Sequence, residues 1–110
     1  MATLAVQRSS VVGVDLTETA ANGAGDDFPN NEATVLVINN GDASPVTVTF
    51  DDTASAAPAG ATSFDADVAV VVAAGAIAVV GPFPISRFTG SVVMTYSGVT
   101  SLTVSPVNTR

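Results

Sequence analysis

Apolar positions concentrate in one stretch, residues 68–88 (VAVVVAAGAIAVVGPFPISRF), and no charge falls between Asp67 and Arg87. Apolar side chains on both parities predict that both faces of this run are covered. Its valines favour a pleated strand over a helix interior. Ala73-Ala74-Gly75 interrupts the run where a short hairpin loop needs a glycine at positive φ. The expectation is two buried strands, Val68–Val72 and Ile77–Val80, folded back on each other. Gly81-Pro82-Phe83-Pro84 ends the second, because two prolines remove ladder donors and fix φ. Phe83 and Phe88 then read as plugs at one end of a core first and as contact residues second.

Elsewhere the pattern is shorter. Residues 33–39 (ATVLVIN) read as a strand covered on both faces at Val35, Leu36, Val37 and Ile38, followed by the turn chemistry of Asn39-Asn40-Gly41-Asp42. Val46–Phe50 alternates strictly, with Val46, Val48 and Phe50 inward and Thr47 and Thr49 outward. These two strands read as a hairpin, and so do Ser91–Tyr96 and 102–104. Residues 4–6 and 11–16 (VVGVDL) read as a first strand or strand pair, broken by the polar 7–10. Residues 17–32 and 51–67 lack apolar periodicity and read as long loops, the second with room for a short helix over 55–57. Each carries one phenylalanine, Phe28 or Phe64, and Phe28 is expected to pin its loop to the body. Seven or eight short strands predict an all-β fold: an antiparallel β-sandwich, jelly-roll-like, with the two long loops as crossovers. An immunoglobulin-like sandwich is the alternative.

A length of 110 residues fits one domain, 1–110. Hydrophobic residues make up 47%, but Ala and Val dominate, with only five Phe and one Tyr. Such a core gains less per side chain than one of Leu and Phe, which predicts help from oligomerisation or docking. Ten acids face three arginines (Arg8, Arg87 and Arg110), a net charge of −7. That balance excludes nucleic acid as a partner and disfavours anionic membranes. A protein, a neutral glycan or a cation remains. Without cysteine there is no disulfide or thiolate metal site. Residues 1–10 show no basic and apolar regions of an export signal, and 68–80 is shorter than the ~20 residues of a spanning helix. A soluble product is expected.

Chemistry has few footholds. With no His, Cys or Lys, the usual bases and nucleophiles are missing, and no Gly-x-Ser-x-Gly or phosphate-binding Gly-x-x-x-x-Gly-Lys occurs. Neither an enzyme nor a cofactor is expected. Asp65 and Asp67 share one side of an extended segment, and Asp51 and Asp52 stand at the other end of the same loop, which makes them weak Ca²⁺ candidates. Surface solvation explains the same acids more cheaply. Arg87 reads as pairing with Asp65 or Asp67, or as reaching a partner subunit. The interface candidates are Phe28, Phe83, Ile85, Arg87 and Phe88.

Two motifs, GDDFPNN at 25–31 and TVLVINNG at 34–41, resemble the opening of small proteins encoded among tailed-phage and prophage structural genes. DVAV at 67–70, Ala74-Gly75, GPFP at 81–84, Arg87-Phe88 and TYSGVTSLTV at 95–104 continue the resemblance across about residues 11 to 105. It implies a capsid decoration, or cement, protein: a small β-sandwich made in the host cytoplasm that docks on the virion's capsid exterior. Its partner is then the major capsid protein, and a homotrimer at three-fold positions is implied. Apolar burial and strand augmentation by a terminal arm supply the binding. The resemblance brings no list of site residues, so 1–10 and 105–110 are nominated as arms on position alone. Two other classes stay open. One is a glycan- or receptor-binding module of a virion fibre, for which stacking aromatics are scarce. The other is a tail or connector ring subunit.

Overall fold

Strand-forming residues separated by turn signals build two packed sheets. The computed structural model describes residues 2–51 and 67–109. Its strands are β1 (Ala2–Thr3), β2 (Gln7–Arg8), β3 (Thr19–Ala20), β4 (Asp26–Pro29), β5 (Thr34–Asn40), β6 (Val46–Phe50), β7 (Val68–Val72), β8 (Ile77–Val80), β9 (Ser91–Tyr96) and β10 (Leu102–Asn108). A single helical turn, α1 (Ile85–Phe88), joins β8 to β9. The first sheet has the order β1-β4-β9-β6-β7; the second runs β2-β10-β5-β8, with β3 also on β10.

The pairing is nested. β3 pairs with β10, β4 with β9, β5 with β8 and β6 with β7, all antiparallel and alternating between the second and the first sheet. Antiparallel β10–β5 and β9–β6 ladders complete the sheets. This is one long hairpin rolled into a sandwich, the path of an eight-stranded jelly roll. The antiparallel sandwich expected from the sequence is therefore the fold, and β1 and β2 add to it as short parallel edge strands on β4 and β10.

Several local expectations are corrected by this path. Val68–Val72 and Ile77–Val80 have the expected bounds but are not a hairpin: β7 bonds to β6 and β8 to β5, in different sheets. The same holds for β5 with β6 and for β9 with β10. In a rolled hairpin, consecutive strands cross from sheet to sheet, so their short turns are arches rather than hairpin loops. The one sequential pair that does hydrogen-bond within this roll, β6 with β7, is joined by the long 51–67 connection expected to be a crossover. The 17–32 segment does cross between sheets, and it contains β3 and β4.

Both faces of 68–80 are not covered. β7 and β8 lie at the ends of their sheets, and Val71, Ile77 and Val79 are two-thirds exposed. Residues 11–16 form no strand, whereas the polar Gln7–Arg8 does. The described parts of both nominated arms are integrated: β1 and β2 are in the sheets, and β10 runs through Ser105 to Asn108 as an interior strand. Pro106, which argues for ending that strand early, falls between the residues of β10 that meet β3 and those that meet β2, a gap in the edge where a missing donor costs little.

The core lies between the sheets. Val46, Val48 and Phe50 point inward as their alternation predicts, opposite Leu36 and Ile38 of β5 and Val104 and Leu102 of β10. Each such side chain, fully buried, contributes about 1.5–3 kcal/mol. Phe83 sits at the centre of an aromatic cluster at one end, 5.6 Å from Phe28, 5.0 Å from Phe50 and 5.3 Å from Phe88 between ring centroids. Two buried asparagines, Asn30 just after β4 and Asn40 at the end of β5, hold neighbouring segments together. The Asn30 amide donates to the carbonyls of Phe83 and Thr89, and that of Asn40 to those of Ser44 and Val72.

Candidate interaction surface

The sequence-predicted site residues separate into interior and surface. Phe28, Phe83 and Phe88 are buried, so three of the five interface candidates belong to the core of the chain. Phe28 does pin its segment, as expected. Ile85 is exposed on α1, and its N–H donates to a Glu32 carboxylate oxygen at 3.1 Å. Arg87 is half-buried, with its guanidinium carbon 5.3 Å from the centroid of the Phe88 ring, a cation–π stack beside the aromatic cluster.

Of the four weak Ca²⁺ candidates, Asp52 and Asp65 lie outside the described residues, and so does the expected pairing of Arg87 with Asp65. Phe64 and the 55–57 helix lie there too. Asp51 and Asp67 flank a depression of about 330 Å³ on the outer face of the first sheet, lined also by Thr49, Val93, Met94 and Thr95. Among the described residues no group of three or more potential metal ligands occurs.

One polar constellation escaped the sequence reading. Asp26 has no exposed surface; its Oδ2 accepts from the Tyr96 hydroxyl at 2.6 Å and from the Asn22 N–H at 3.1 Å. Its Oδ1 is buried and, among the described residues, has no partner. Burial, and then the bond and charge of Asp26, push the Tyr96 phenol far above its ordinary range. The signal was present in the sequence: once Phe28 is set inward on an extended segment, Asp26 two residues earlier faces the same way.

What distinguishes the outside is apolar. The loop 11–16 between β2 and β3 carries Val11, Val12, Val14 and Leu16, of which Val11 is as exposed as an isolated residue. Val11 and Val12 form the corner of a turn closed by Gly13 N–H to Ser10 carbonyl, with Gly13 at φ 85°. Gln7 clamps the base of the loop, its amide donating to Thr17 O at 2.7 Å and accepting from Thr17 N at 2.9 Å. At the far side stand Val71 of β7 and Ile77 and Val79 of β8. Free sheet edges are ordinarily guarded by charge, proline or a bulge, and β7 and β8, which end their sheets among the described residues, carry neither charge nor proline. A scan against protein-family models, a search of curated proteins and a search of solved structures each found no match for this chain.

Proposed function

We propose that this protein is a structural virion subunit that decorates the outside of a tailed-phage capsid and ties neighbouring capsomers together. The observation that carries the reading is the exposed apolar surface on the sandwich: Val71, Ile77 and Val79 on strands that end their sheets among the described residues, and four apolar side chains on the 11–16 loop. Surface of this kind marks contact with other proteins, and apolar burial is what a cement contact needs. The motif resemblance points to the same role. Seven net negative charges keep such a subunit off the packaged DNA. Its partner is the major capsid protein, and it docks as a trimer at three-fold positions after synthesis in the host cytoplasm.

The test is sedimentation of purified heads that lack the protein with an excess of it. A fixed, saturable ratio of hundreds of copies per particle, with heads that then resist heating better, is the expected result. A few copies per particle would move the subunit to the tail or portal. No co-sedimentation would sink the capsid reading and turn attention to soluble-glycan binding.

A further inference from the structure

The dipeptide Asn-Gly occurs twice in the chain, at Asn22-Gly23 and at Asn40-Gly41, and the fold treats the two oppositely. Glycine has no Cβ to shield its backbone nitrogen, and in this dipeptide that nitrogen lies within reach of the asparagine amide carbon. We infer that Asn22 is a site of spontaneous modification in the folded protein, converting to aspartate and isoaspartate, whereas the fold protects Asn40.

Asn22 opens a turn that the Gly25 N–H closes on its carbonyl at 2.8 Å. Its Oδ1 accepts from the Ala24 N–H at 2.9 Å, an Asx turn. Asn22 and Gly23 are both exposed, and a Cβ built on Gly23 would meet nothing within 4 Å, so water and base reach this nitrogen. Among the described residues no hydrogen bond engages the Gly23 N–H or the Asn22 Nδ2. At the second site every group that must move is held. Asn40 has no exposed surface, and its Nδ2 donates to the carbonyls of Ser44, Val72 and Ala73. The Gly41 N–H donates to Ser101 O at 2.9 Å.

The step at Asn22 is a ring closure followed by hydrolysis. The Gly23 nitrogen gives its proton to solvent base and bonds to Asn22 Cγ; the Cγ–Nδ2 bond breaks and ammonia leaves. The charge that develops on Oδ1 meets the Ala24 N–H already in place. Water then opens the cyclic imide at either carbonyl, giving aspartate or isoaspartate. Both products bring a further carboxylate to the turn beside Asp26, whose Oδ2 accepts from the Asn22 N–H. Isoaspartate also lengthens the backbone by one carbon where there is little slack. Gly25 stands at φ 97°, and a Cβ there would lie 2.8 Å from Met94 O. Conversion therefore works against the bonds that hold Asp26, and the converted chain is less stable.

The experiment incubates the folded wild-type chain in mildly alkaline buffer, for as long as the urea-unfolded chain needs to convert at both sites. Cleavage after Glu18 and Glu32, the chain's two glutamates, puts Asn22 in fragment 19–32 and Asn40 in 33–110, and tandem mass spectrometry locates each acid. In the folded chain Asn40 should convert at least about tenfold more slowly than Asn22, because it waits for a local opening that breaks several bonds. In urea the two rates should converge. Equal rates in the folded chain, Asn40 converting first, or an unchanged Asn22 would each overturn the inference. Gly23→Ala has open space for its Cβ, so it should fold normally by circular dichroism and slow the Asn22 reaction. An undiminished rate in that variant would show direct hydrolysis without a ring and overturn the mechanism. The converted chain, separated by anion exchange through its added charge, should unfold at lower urea concentration than the unconverted one. An unchanged midpoint would overturn the claimed effect on Asp26.

Discussion

Tyr96 is the chain's single tyrosine, and its hydroxyl donates to a carboxylate that has no exposed surface. Ionising the phenol would place a second negative charge against Asp26, and burial adds to that cost, so the folded chain holds the proton well above the ordinary value of 10.0. The unfolded chain releases it near that value. Above pH 10 the unfolded state thus binds fewer protons than the folded one, and stability falls as pH rises; below it this contribution is fully present. Tyrosinate absorbance is expected to appear only together with loss of the folded circular-dichroism signal. An absorbance change that precedes unfolding would show the phenol ionising in place. Tyr96→Phe leaves Asp26 with one donor fewer and should cost roughly 1.5–3 kcal/mol in urea unfolding at neutral pH. At the end of β5, Asn40 donates to Ser44 O and Val72 O and accepts from the Asp42 N–H at 3.1 Å. Asn40→Ala removes these bonds, of which the one to Val72 O is buried, and is expected to cost at least as much, read by the same unfolding curves.

At the level of elements, the strand bounds were legible and their partners were not. Val46–Phe50 alternates, and the structure buries the residues that the alternation selects. The same bounds hold for Val68–Val72 and Ile77–Val80. What misled was the turn between them: a glycine at φ 71° serves an arch between sheets as well as a hairpin within one, so Gly75 does not reveal which. Nor does an apolar run say whether both faces are covered within the chain. Val72 is 2% exposed and its neighbour Val71 is 68% exposed, although both are valines of one strand. Val72→Ala is therefore expected to destabilise by about 1.5–3 kcal/mol, while Val71→Thr stays within about 0.5 kcal/mol. Thermal unfolding at low protein concentration reads both, and equal effects would mean that the two faces of β7 are equivalently packed. Residues 11–16 show the converse error. Their apolar content signals a strand, yet among the described residues they pair with none and form a loop, so apolar content alone does not separate a strand from an exposed turn. Asp26 was missed because charge masked its parity with Phe28.

For the whole molecule, the nested pairing fixes an order of distances along the chain. β6 and β7 are the innermost pair, whereas β3 meets β10 with Glu18 and Thr103, 85 residues apart, sharing a hydrogen bond. Closing a long loop costs entropy before its contacts repay it, so pairing should begin at β6–β7 and roll outward. β1 and β2 lie outside the roll, as two-residue strands on its edges. This arrangement predicts slow refolding, on the order of milliseconds to seconds, and a division of labour between two buried side chains. Val48 of β6 belongs to the innermost pair and is fully buried, so Val48→Ala should slow refolding. Leu4, buried at 4% just beyond β1, joins last, so Leu4→Ala should leave the refolding rate unchanged and speed unfolding instead. Stopped-flow folding and unfolding limbs separate the two. The lost stability in the Leu4 variant, about 2–5 kcal/mol, should reside entirely in the unfolding limb. If Leu4→Ala slows refolding as much as Val48→Ala does, the N-terminal segment is already docked in the transition state. The roll would then close from its outer edge inward.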